Sequence, residues 1–115
     1  MVLYMKKRFI ILFLILFIFN INNCFTYDDK YNVSYQTHVQ DIGWQNYKSN
    51  GEISGTTGKS KRIEAINIKL YGFEGSILYK SFIEGIGWED DYRRDGEISG
   101  TTGKSKRIEA IKIKL

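Results

Sequence analysis

"GEISGTTGKSKRIEAINIKL", residues 51–70, returns at 96–115 with one change among its 20 positions, Asn67 to Lys112. A block repeated this closely makes the chain a tandem repeat, and the reading of its second half sets the fold class. The tail alternates: Ile66, Ile68 and Leu70 lie on one parity, Asn67 and Lys69 on the other, the period of a strand. Ile63 and Ala65 fall out of phase with that tail, so a bulge near Ala65 is expected to restore a single buried face across a strand from about Arg62 to Leu70. The alternative is a helical turn within Lys59–Ile66, where good helix formers gather, although β-branched residues dominate the tail. Ahead of it the sequence predicts a short strand around Glu52–Ser54 and a glycine turn.

Inside the block, "GTTGKS" at 55–60 and 100–105 has the look of the end of a phosphate-binding loop. Such a loop needs a glycine five positions before the second one, and Ile53 and Ile98 stand there instead. It also comes after a buried strand and opens a helix, whereas "YKSNGEIS" before it is polar and the residues after it have a strand pattern. Gly, Thr and Ser are ordinary turn residues, so the stretch reads as a turn and no nucleotide is expected.

The other half of the repeat is more diverged. "VSYQTHVQDIGW" (33–44) aligns with "ILYKSFIEGIGW" (77–88) and keeps 4 of 12 residues, Tyr35/Tyr79, Ile42/Ile86, Gly43/Gly87 and Trp44/Trp88. Physical type survives at alternate positions: Val33/Ile77, Tyr35/Tyr79, Thr37/Ser81 and Val39/Ile83. That is one face of a half-buried strand, running into a turn at Ile-Gly-Trp. The opposite face changes freely, His38 to Phe82 and Gln40 to Glu84. With no proline in the chain, glycines supply the punctuation.

The ends bear on compartment. Lys6, Lys7 and Arg8 precede "FIILFLILFIF" (9–19), an apolar run of 11 residues that suits a secretory signal and falls short of the ~20 that span a bilayer. Residues 1–25 are therefore read as a signal peptide or a retained membrane anchor, and the protein as secreted or held at the cell surface. Cys24 is the only cysteine, and Ile-Asn-Asn before it lacks the small residue expected beside a lipidated one. No disulfide framework is available. Three of the 17 Lys and Arg lie in the leader and none of the 13 Asp and Glu does, which leaves a formal charge of +1 on the rest. That balance gives no argument for nucleic-acid binding. The remainder reads as a linker at 26–32, one repeat at 33–70, a linker at 71–76 and a second repeat at 77–115.

The pattern V-x-Y-x-x-H-V-Q-x-I-G-W-Q, then N-G-x-x-x-G-T-x-G-x-x-x-R-x-E-A-I-x-I-x-L, resembles the ChW repeat, the clostridial hydrophobic repeat named for its tryptophan. The second copy departs from it at Phe82, Glu84 and Glu89, where the first has His38, Gln40 and Gln45. The resemblance implies an exported bacterial surface or extracellular protein serving a macromolecular system outside the cell, with no catalytic residue assigned. Related chains carry several repeats, often in threes, so the resemblance implies a short or truncated member here. A single unit of about 45 residues cannot bury its own apolar face and must stack on a neighbour. Units in threes suggest pseudo-threefold closure, as in a β-prism or β-trefoil-like body. With two units an edge stays open, which predicts partial closure, self-association or marginal stability.

Trp44 and Trp88, with Gln45 and Glu89 beside them, are the candidate ligand-binding residues. An indole on a glycine turn followed by a polar side chain resembles a platform for sugar rings. The competing reading makes each indole the main core plug of its repeat, as large aromatics more often are. His38 is the only histidine and is Phe82 in the other copy, so a structural or surface role is expected. Arg62 and Glu64, like Arg107 and Glu109, are read as surface pairs. Glu89, Asp90 and Asp91 match no calcium loop, and Gln45 and Asn46 replace the first two in copy one. Nothing sets two carboxylates apart for glycoside hydrolysis, and no base accompanies the serines. The expectation is thus an all-β, non-catalytic binding or adhesion module without metal or cofactor. Its partners would be cell-wall or extracellular polysaccharide or other surface proteins, with self-association included. The alternative is a structural protein that assembles with other repeat-bearing surface proteins, its tryptophans purely core.

Overall fold

The computed structural model describes residues 30–115. The leader at 1–25 and Cys24 lie outside the described residues. These contain nine strands and no helix: β1 (Asn32–Val39), β2 (Gly43–Trp44), β3 (Lys48–Ser49), β4 (Ile63–Tyr71), β5 (Leu78–Ile83), β6 (Gly87–Trp88), β7 (Arg93–Arg94), β8 (Ser99–Gly100) and β9 (Ile108–Lys114). The all-β reading holds, and the helical turn considered for Lys59–Ile66 is not formed. Each repeat is one long antiparallel pair, β1 with β4 and β5 with β9. Two short strands in each repeat, the first of them the Gly-Trp of the Ile-Gly-Trp turn, line the other edge of β1 or β5.

Register settles the phase problem. Val39 pairs with Ile63, and His38 pairs with Ala65, so Glu64 is the extra residue of a bulge. The same shift leaves Glu109 unpaired between Ile83↔Ile108 and Phe82↔Ala110. The bulge lets Ile63 share a face with Ile66, Ile68 and Leu70 in spite of the parity change. Opposite them on β1 stand Val39, Thr37, Tyr35 and Val33, the positions that keep physical type between copies.

That apolar face is completed by the second repeat. Ile68 forms a buried cluster with Ile77 and Tyr79, against which Val33, Tyr35, Ile66 and Leu70 pack. The backbone is shared as well. β8, from the second repeat, adds to the outer edge of β4 with Ala65↔Gly100 and Ile66↔Ser99, giving the order β2-β1-β4-β8. The Thr101 N–H donates to the Glu64 carbonyl at 3.0 Å and the Gly96 N–H to the Ile68 carbonyl at 2.7 Å. The Ile68 N–H donates at 3.1 Å to the Tyr79 hydroxyl, which itself donates to the Glu97 carbonyl. Glycine is required at 100: its φ is +96°, and an added Cβ would collide with the Glu64 carbonyl oxygen.

The sequence reading is corrected at one strand. Glu52–Ser54 forms none, whereas the matching part of the second copy supplies β8 at Ser99–Gly100. The reason is the partner. β8 exists because β4 precedes it, and among the described residues no unit precedes the first repeat. The complementary gap is at β9, which among the described residues pairs only with β5. Ile68 is 4% exposed, but its counterpart Ile113 is 54% exposed. The described residues thus form a five- and a four-stranded sheet joined through β8, with no closed threefold body.

The shared hydroxyl gives a direct check. Tyr79→Phe leaves the Ile68 N–H and the Glu97 carbonyl without their partner at a buried site, and should cost about 1–3 kcal/mol. Tyr35→Phe removes the equivalent donation to Glu52 where water can replace it, and should cost under ~1 kcal/mol. Urea unfolding midpoints of the two variants decide between this and equal roles.

Candidate functional site

Each tryptophan is placed by the turn after β1 or β5. The chain reverses with the Ile42 N–H donating to the Val39 carbonyl at 3.1 Å, and Asp41 takes a φ of 64°. Trp44 is thereby set opposite His38, and Trp88 opposite Phe82. In both repeats the two rings meet edge to face, 5.4 Å apart at 81°. This explains why histidine and phenylalanine exchange here: what the indole needs is a flat ring of either kind. His38 has a further role in its own repeat, with Nδ1 3.0 Å from Glu64, whose other oxygen lies 2.8 Å from Arg62. Glu64 is buried, so that pair is not the surface pair read from the sequence, while Arg107 and Glu109 remain exposed.

Both indoles are half-buried and stand outside the core cluster. Among the described residues the largest fully buried side chains are Tyr79 and Val39. The residues after the tryptophans face inward. The Gln45 amide oxygen accepts from the Gly55 N–H at 2.7 Å and the Gln45 backbone N–H donates to the Thr37 carbonyl at 3.0 Å, tying the glycine loop to β1. Glu89 does the same in the second repeat, accepting from the Ser81 N–H at 3.0 Å, the Gly100 N–H at 3.3 Å and the Ser99 hydroxyl. Arg93 closes on its outer oxygen at 3.1 Å. Burial pushes the Glu89 carboxyl up, but the hydrogen bonds from Ser99, Ser81, Gly100 and Arg93 outweigh it and hold the group below the ordinary glutamate range. Asp90 and Asp91 lie exposed in the loop beyond.

Around the indoles the structure gathers residues that the sequence reading did not single out. In the first repeat Asn46, Lys48, Ile53 and Gly55 join the two candidates Trp44 and Gln45 in lining an open cleft of about 470 Å³. In the second, the Lys112 ammonium sits 4.4 Å from the Trp88 ring centre. Tyr92 is flanked by Lys80 at 4.8 Å and Lys114 at 4.3 Å, and Tyr47 of the first repeat has Lys69 at 5.4 Å. The signal for Lys112 was in view: it is the one difference within the repeated block, and alternation puts it on the face away from Ile111 and Ile113. Among the described residues no group of three or more His, Cys, Asp or Glu side chains converges as a metal site. The glycine loop runs into β4, not into a helix.

Fold and site together define a tandem β-repeat module whose units are joined edge to edge. The family model described as clostridial hydrophobic W, ChW, matches residues 38–72 and 82–115, more than half of the chain. The chain belongs to the ChW family. No curated protein and no solved structure matches it.

The one chemical difference between the two loop anchors, Gln45 against Glu89, predicts a pH effect. Because the folded-state value of Glu89 is lowered, its contribution is complete above the unfolded value near 4.5 and is lost as the pH falls through the folded value. Glu89→Gln should therefore flatten the stability profile below about pH 4.5 relative to the parent chain. Thermal unfolding midpoints of both proteins between pH 3 and 6 (about the range where a carboxylate titrates) test it; parallel profiles would contradict it.

Proposed function

We propose that the chain is an exported, non-catalytic binding module that holds anionic cell-wall or extracellular polysaccharide against the aromatic side chains left on the outer sheet face of each repeat. The supporting observation is the second repeat's surface, where a half-buried Trp88 and Tyr92 are interleaved with Lys112, Lys114 and Lys80. The indole is a flat apolar ring of the kind that stacks on sugars, and Lys112, which lies over it in the free protein, exchanges that cation–π contact for the anionic group of a bound sugar. Two such faces in one chain raise retention on a polymer beyond what either gives alone. Export rests on the basic residues 6–8 followed by the apolar run at 9–19. Gln45 and Glu89 serve this surface indirectly, fixing the loops beside the tryptophans.

The test is co-sedimentation of the protein with purified cell walls and a panel of insoluble polysaccharides. Retention on one matrix, competed by its soluble fragments and weakened by salt, is expected. Trp88→Ala also removes the packing on Phe82 and should lower the unfolding midpoint. Retention is therefore compared at a temperature where both proteins are folded, and there it should fall at least about tenfold. Retention that is indifferent to Trp88→Ala and to salt would sink the reading.

A further inference from the structure

The junction inside the chain is a template for a second junction between chains. Its first half is the outer edge and apolar face of β4, and β9 presents the same residues with only Asn67 changed to Lys112. No other described strand covers β9: Ile111 is 39% exposed, Ile113 54% and Leu115 87%. The altered residue is no obstacle, since Lys112 belongs to the opposite face, over Trp88.

The other half of the junction is Ile77, just before β5, and Tyr79 and Ser81 of β5 with Ser99–Gly100, and the first repeat repeats it as Val33, Tyr35, Thr37 and Ser54–Gly55. The internal wiring is the same. Tyr35 donates to the Glu52 carbonyl as Tyr79 does to Glu97, and Thr37 and Ser54 hydroxyls meet at 2.8 Å as Ser81 and Ser99 do at 2.7 Å. What differs is occupancy. A Cβ added at Gly100 would strike the backbone of Glu64 and Ala65, whereas one added at Gly55 would meet only the Ile63 side chain of its own repeat. Gly55 keeps a left-handed conformation, φ +107°, with no backbone of another described strand against it. The backbone edge for a preceding strand is formed at Ser54–Gly55, and no described strand occupies it.

We propose that β9 of one copy of this chain pairs antiparallel with Ser54–Gly55 of a second copy, in the register Ala110↔Gly55 and Ile111↔Ser54. The register is that of Ala65↔Gly100 and Ile66↔Ser99 at the internal junction. The Thr56 N–H then donates to the Glu109 carbonyl, the Gly51 N–H to the Ile113 carbonyl, and the Ile113 N–H to the Tyr35 hydroxyl. The contact joins unlike surfaces, so it repeats head to tail along an assembly. It goes beyond polysaccharide binding and does not depend on it.

Cysteine crosslinking in the full chain carrying Cys24→Ser tests the register itself. A chain with Ser54→Cys is mixed with one carrying Ile111→Cys and oxidised mildly. Paired residues on antiparallel strands have Cβ atoms about 4.5–5.5 Å apart, near enough to form a disulfide with small adjustment. The disulfide dimer should form in at least tenfold higher yield than when Thr57→Cys, at the exposed tip of the same loop, replaces Ser54→Cys. Adding Ile113→Lys to the Ile111→Cys partner should remove most of that dimer while the unfolding midpoint stays put. Association through the leader would bring Thr57 and Ser54 together with Ile111 equally. Equal yields for the two positions, or a yield indifferent to Ile113→Lys, would overturn the proposal.

Discussion

A β-strand with one bare edge and one uncovered apolar face is unstable by itself in water, and in this chain β4 has both. Its inner edge is satisfied by β1, but the outer carbonyls of Glu64 and Ile68 and the N–H of Ile68 find partners only in the second repeat. The same contact covers Ile68 with Ile77 and Tyr79. Hydrogen bonding and burial are therefore satisfied together, which makes the two repeats one cooperative body. In a nearest-neighbour repeat architecture that junction carries much of the stability that neither unit has alone.

The constraint also orders the surface. Once the Ile66, Ile68 and Leu70 face is given to the junction, the tryptophans are left on the opposite face, against His38 or Phe82 and, in the second repeat, under Lys112. Gln45 and Glu89 connect the two levels. Each bridges the tryptophan turn to the Ser-Gly segment, and in the second repeat that segment is β8. The loop that carries a surface indole is thus tied directly to the strand that makes the junction.

Much of this was legible in the sequence, and the part that was not has a physical cause. The alternation of Val33, Tyr35, Thr37 and Val39 places β1, and the phase slip between Ile63 and Ile66 announces the bulge at Glu64, because both signals are local. β8 could not be read in that way. Residues 51–66 and 96–111 are identical, yet Ser99–Gly100 is a strand and Ser54–Gly55 is not. Ile68 and Ile113 likewise sit in nearly the same local sequence and differ in burial. No rule that acts on the local sequence can separate identical segments; the presence of a neighbour does. The tryptophan surroundings fall between these cases. The indoles were singled out, but Lys112 and Tyr92 join that surface only through strand register.

The central claim, that the second repeat supplies the missing edge of the first, is tested most directly by amide hydrogen exchange at dilution, where single chains predominate. The amides of Thr101, Gly96 and Ile68 should be strongly protected, because each donates across the junction. Their counterparts Thr56, Gly51 and Ile113, in nearly the same local sequence, should exchange much faster. Equal protection in the two sets would mean that each repeat holds its structure alone, and would contradict the account.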